Sequence, residues 1–280
     1  MHNTLAIAFG EVKGWLFTPR AVLGFLLGGV LYAGPALRYA ALVEALGGQG
    51  NIAEPFIIFG STPQLYTFSL LGLLLLLSNA PFVTEQTPYV MLRTSKGTWL
   101  TAQIVYVVAA ALLYYLFLFL ITAAVTIRNG HLEAFWSKPF LLLSKQSPQY
   151  LISRYQISFR FPDFSDQLSP LQAFFATWAY NSLYGISLGL CLFTFNAWGK
   201  GQWGWGAVVF LHITGYLVIM NGPGVFPLKL SLLLYAMPAF NQWGPPYQGP
   251  FESCLVLFGV NTLLGAVCFL RMRKQDLRGI

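Results

Sequence analysis

The sequence predicts an all-α polytopic membrane protein, and three observations carry that expectation. The 280 residues are 56% hydrophobic and only 9% charged, whereas a soluble domain is about 25% charged. Mean hydropathy is +0.61. Apolar runs of spanning length recur along the chain, and in a bilayer only helices and closed barrels satisfy their own backbone hydrogen bonds. The expected layout is a single domain over 1–280. It has six transmembrane helices, an N-terminal amphipathic interfacial helix, a short polar helix between the second and third spans, and a re-entrant or interfacial segment before the last.

Residues 1–20 place Leu5, Phe9, Val12 and Leu16 at helical spacing, with Trp15 suited to headgroup depth. No cleavable signal peptide is evident. Pro19-Arg20 favours a break before the first span, residues 21–39, where Gly24, Gly28 and Gly29 allow close helix approach. Arg38 sits at its far end, placed to snorkel to the headgroups or to face a polar interior. A polar loop leads to the second span, 65–81.

Between the second and third spans lies a capped polar stretch, 84–97. Thr87-Pro88 is a helix start and Gly97 a helix stop, with Arg93 and Lys96 where the dipole favours cations. Residues 88–96 would form a helix of about 13 Å, too short to cross the membrane. An ordinary capped loop is the plainer reading.

The third span covers 100–127, long enough to tilt or project. Residues 128–170 form an outer cap of amphipathic helices, with a weak strand signal where Ile157, Phe159 and Phe161 alternate with polar residues. The fourth and fifth spans, 171–198 and 207–220, flank a tryptophan-rich interfacial turn. In the re-entrant region, 221–250, the apolar piece 228–237 is too short to cross. The sixth span, 251–270, ends at a basic tail.

The net charge of +7 reports orientation rather than nucleic-acid binding, because the cations are scattered singly through the loops. With six spans, basic density puts both termini and the 84–97 stretch in the cytoplasm of a cell membrane, inner or plasma.

Little chemistry is legible. Cys191, Cys254 and Cys268 lack metal-ligand spacing and read as buried thiols. The H-E-x-x-H, G-x-S-x-G and Ser-x-x-Lys patterns are all missing. Neither is there a G-x-x-x-x-G-K-[ST] phosphate loop, so any ATP would be hydrolysed by another polypeptide. The chain reads as no enzyme and as binding no cofactor itself. His212 is either a hydrogen-bonded core histidine or a relay or cargo group. Trp178, Tyr180, Asn181, Ser182 and Tyr184 in the fourth span, with Asn261 and Thr262 in the sixth, would line a pathway for amphipathic cargo, or simply join helices. Glu252 is the one candidate carboxylate in a span, and Arg38 and Glu252 would meet as an outer gate.

The wording NAPFVTEQTPYVMLRTSKGTWLTAQIVY, 28 of the 280 residues, resembles the connection between the second and third spans of ABC transporter permeases of the ABC type-two class, known from bacterial peptide and antibiotic export. The positions carrying the resemblance are Thr87, Pro88, Tyr89, Leu92, Arg93, Trp99 and Gln103. It implies a type V ABC exporter-like fold in which 84–97 is the cytoplasmic coupling helix. Thr87, Pro88, Tyr89, Leu92 and Arg93 would dock a separate ABC ATPase subunit carrying ATP and Mg. A second permease chain, identical or paralogous, and membrane lipids would be the other partners, with no nucleic acid. The cargo would be a peptide antibiotic, lipid or drug. The rival reading is a stand-alone six-span channel or secondary carrier.

Overall fold

A computed structural model describes residues 18–78, 80–81, 93–198, 203–221, 228–240 and 249–274. Nearly all of the expected interfacial helix over 1–20 lies outside the described residues. So does most of 84–97, including Thr87, Pro88, Tyr89 and Leu92.

Helix α1, Pro19–Ala45, starts where Thr18 Oγ1 accepts from the Ala21 amide at 3.3 Å, with proline in the first turn. It runs past the expected end at residue 39 because Tyr39, Leu42 and Val43 are buried in the cap. Gly47, at φ +61°, then turns the chain. The strand pair Gly50–Asn51 (β1) and Gly130–His131 (β2) is parallel and joins the ends of α1 and α4. Helix α2, Glu54–Gly60, is wholly buried. It bends by 91° into α3, Pro63–Leu77.

Helix α4, Lys96–Thr126, corrects the expectation at Gly97. Ser95 Oγ accepts from the Thr98 amide at 3.1 Å and caps the helix there. Gly97 therefore lies in the first turn of the third span rather than ending the preceding helix. Arg93 has helical backbone and is exposed.

The cap holds α5, Lys138–Lys145, α6, Gln149–Tyr155, and α7, Phe164–Gln167. Ile157 and Phe159 are buried between exposed Ser158 and Arg160, as the alternation predicts, but the segment is not a strand. Phe140, Phe159 and Phe164 form the cap's aromatic core, with Trp136 stacked on Phe140 at 4.0 Å.

Helix α8, Pro170–Trp198, is the hub, packed against α2, α3 and α4. It also packs against α9, Trp203–Asn221, α10, Leu232–Ala236, and α11, Pro250–Lys274. Helix α10 packs against α8, α9 and α11 with Leu233, Leu234, Tyr235 and Ala236 buried, while Lys229 and Leu230 in the turn before it are exposed.

Four helices, α1, α4, α9 and α11, are long and apolar enough to cross a membrane, and the bent pair α2 and α3 makes up to five. Helix α8 is not among them although it has 29 residues. Its polar residues face protein rather than lipid: Thr177, Asn181, Ser182, Ser187 and Thr194 are all buried. The chain is an all-α polytopic membrane protein.

Candidate functional site: polar contacts at the centre and cap end of the bundle

Most of the sequence-predicted pathway residues converge on the α8 interfaces and spend their polar atoms on a neighbouring helix, whereas Ser182 Oγ is buried with no partner among the described residues and Thr262 Oγ1 donates to the Phe258 carbonyl of its own helix at 2.9 Å. Trp178 Nε1 donates to the Leu112 carbonyl at 3.2 Å, and Tyr180 Oη to that of Pro250 at 3.0 Å. Asn261 Nδ2 donates to the Leu183 carbonyl at 2.9 Å, while its Oδ1 accepts from Ser187 Oγ at 2.8 Å. His212 is held on both ring nitrogens. Nδ1 stands 3.0 Å from Tyr184 Oη and Nε2 2.9 Å from Thr67 Oγ1, so α3, α8 and α9 are joined through one imidazole.

Beside this chain the Tyr66 and Tyr115 hydroxyls meet at 2.8 Å, and Tyr66 Oη also donates to the Asn181 carbonyl at 3.3 Å. The rings of Tyr66 and Tyr184 lie 5.8 Å apart. Oriented to satisfy its surroundings, the Asn181 amide nitrogen donates to the Ala236 carbonyl at 2.8 Å and the Gly60 carbonyl at 3.3 Å. These are the last residues of α10 and α2, where helix carbonyls lack partners within the helix. One side chain thus closes two interrupted helices.

At the cap end of the bundle Glu54 is fully buried. Its Oε2 accepts from Tyr39 Oη at 2.6 Å, the Asn51 amide at 2.9 Å and Ser137 Oγ at 2.7 Å, and its Oε1 from the Ser137 amide at 2.7 Å. The same Ser137 Oγ accepts from the Phe140 amide and caps α5. Beside it a water-sized cavity is lined by Tyr39, Asn51, Thr126 and Asn129.

The pairing expected between Arg38 and Glu252 is replaced by two others. Arg38 Nη1 donates to Gln156 Oε1 at 3.1 Å, and Lys229 Nζ meets Glu252 Oε1 at 2.9 Å. The reason is placement: Arg38 lies against the cap after α6, whereas the segment before α10 brings Lys229 to the start of α11. The hydrogen bond to Glu252 raises the Lys229 ammonium above its ordinary pKa. Of the expected docking residues, Arg93 alone is described, exposed at the cationic end. Trp99 and Gln103 are buried.

Sequence reasoning missed Glu54, Tyr39, Tyr66, Thr67 and Tyr115. Glu54 had a signal: a lone carboxylate at the head of the apolar run EPFIIFG, three residues after Asn51, in the spacing of a helix start. No group of three or more His, Cys, Asp or Glu suited to a metal occurs among the described residues. No family model, curated protein or solved structure matches the chain.

Proposed function

We propose that this chain is the membrane-spanning permease subunit of an ATP-driven ABC exporter. It crosses six times and carries amphipathic cargo outward, using an ATPase on a separate subunit. The observation that carries this reading is the charge at one end of the bundle. Arg20, Arg93, Lys96, Arg271 and Arg273 lie where α1 and α4 begin and α11 ends, with no carboxylate in those turns among the described residues. Lys96 Nζ reaches the Arg273 carbonyl at 3.4 Å, tying two of these helices at that end. Positive charge marks the cytoplasmic face, the side on which an ATPase would meet 84–97. Six crossings follow if α3 and α8 are counted, α8 being more polar only because it is enclosed.

A stand-alone carrier is the second reading, favoured by His212 held between two hydroxyls inside the bundle. One experiment separates them. The chain is expressed with and without a Walker-type ATPase encoded beside it, purified, and assayed in vesicles for ATP-dependent export. Co-purification, with export that requires the ATPase and is lost in Arg93→Glu while ATP hydrolysis continues, supports the permease. Cargo movement by the chain alone rejects it.

A further inference from the structure

We propose that Arg38, with Gln156, forms a binding site for the anionic phosphate of an outer-leaflet phospholipid. Three independent observations meet there. The first is depth. Arg38 follows Pro19 by 38 − 19 = 19 residues of continuous helix, about 28 Å at about 1.5 Å per residue. The hydrocarbon core is about 30 Å thick, so the guanidinium emerges at headgroup level on the side opposite the cationic end.

The second is an unmet charge. Among the described residues no carboxylate pairs with Arg38, its polar partner is the neutral Gln156, and its Nε is buried with no acceptor. A guanidinium presents a planar fork of donors that matches two phosphate oxygens. Gln156 is held at φ +54°, a conformation uncommon for a side chain of its size, as the cap of α6. That turn brings the cap's amide to Nη1 and leaves Nη2 to a ligand.

The third is the surface beneath. Val30 and Leu37 are 70% and 60% exposed, and Gly34, one turn below Arg38, has no atom within 4 Å of where a Cβ would stand. A bare, open stretch of apolar helix face, headed by a cation at the interface, suits an acyl chain under its own phosphate. A soluble anion would gain nothing from that apolar face. Tyr150, 65% exposed on α6, adds an aromatic suited to the interface.

The test uses the full chain, purified in detergent and reconstituted in bilayers of a phosphate-free glycolipid with and without phosphatidylglycerol. Bound lipid is counted by native mass spectrometry, and affinity comes from the thermal shift with added phosphatidylglycerol. The wild type is expected to retain a phosphatidylglycerol that Arg38→Ala lacks, with affinity falling about tenfold or more, the loss of one charge-assisted contact of about 1.4 kcal/mol or more. Arg38→Lys is expected to recover part of it. Should Arg38→Ala fail to insert, Arg38→Gln keeps the stem without the charge and takes its place. Gly34→Leu, which raises a bulky side chain on the face where the acyl chain would lie, is expected to weaken lipid binding with Arg38 intact. Equal retention in wild type and Arg38 variants overturns the proposal. So does displacement of the lipid by equimolar glycerol phosphate, which would make the site one for a free phosphate.

Discussion

Tyr39 Oη and Glu54 Oε2 lie 2.6 Å apart at the cap end of the bundle, and through Glu54 the first helix is bound to the cap. A buried carboxylate is costly unless hydrogen bonds replace its water. Here four donors do so: one hydroxyl from α1, the amide of Asn51, and the amide and hydroxyl of Ser137. The prediction concerns that count. Glu54→Gln keeps the volume but turns its NH2 toward a backbone N–H, that of Asn51 or of Ser137, which can only donate, and is expected to cost about 1–3 kcal/mol. Tyr39→Phe removes one donor and is expected to cost about 1 kcal/mol. Protease cutting within 128–170 and the thermal midpoint in detergent measure both. Unchanged protection in Glu54→Gln would show that the cap is held elsewhere.

Gly72 on α3 faces Gly24 on α1. A Cβ at Gly72 would stand 2.6 Å from the Gly24 carbonyl and 2.3 Å from Tyr114 Oη. Backbone cannot yield as a flexible side-chain tip does, so Gly72→Ala is expected to destabilise by about 1–3 kcal/mol. Gly34→Ala is the control: it meets nothing within 4 Å, and its helix propensity favours alanine by about 1 kcal/mol. Thermal midpoints should move in opposite directions. Equal shifts would mean that the helices cross more loosely.

The helices were largely legible because length, apolar runs and punctuating prolines are local properties. Pro19, Pro63, Pro170 and Pro250 each open a helix near an expected boundary. The failures are non-local or turn on which of two competing signals wins. Gly97 read as a stop because glycine usually follows a helix, yet Ser95 two residues earlier offered a cap and took the boundary. Arg38 and Glu252 were paired because opposite charges at one end attract, but sequence does not say which loop folds between them. The pathway residues on α8 stood out by their polarity. Their partners Thr67, Tyr66 and Tyr115 did not, because a tyrosine in an apolar run looks like any other core aromatic until the facing helix is known.

The pair of Lys229 and Glu252 predicts an exchange experiment. Both side chains are about half exposed, so the attraction is screened by salt. Reversing either charge alone is expected to lower the thermal midpoint at low ionic strength, and high salt to erase the difference. Lys229→Glu with Glu252→Lys should restore the wild-type value, whereas Arg38→Glu with Glu252→Arg should not. The raised pKa of Lys229 sets the sign with pH: the contribution is full below the ordinary lysine value and lost as pH rises through the raised one. Rescue by the Arg38 exchange would mean that the two residues meet after all.

Asn181 carries the last prediction, because its amide answers two carbonyls at once. Gly60 and Ala236 end short helices inside the bundle, where no water reaches their oxygens. Interrupted helices survive at that depth only while protein satisfies their ends. Asn181→Leu fills the space and supplies no donor, and is expected to cost about 0.6–1.7 kcal/mol per hydrogen bond lost. Asn181→Asp keeps the shape but points oxygen at oxygen, so it should be worse than Asn181→Gln, which retains the donor on a longer arm. Close packing sharpens the contrast, since Thr177 and Asn181 already crowd Gly60 to within 2.5 Å of where a Cβ would stand. The measurements are the thermal midpoint and hydrogen exchange at the amides of 228–240, which Asn181 holds through Ala236. If these variants exchanged no faster than wild type, α10 would be anchored by its apolar contacts alone. Faster exchange confined to that segment would identify Asn181 as the point from which the inner pieces of the bundle are held.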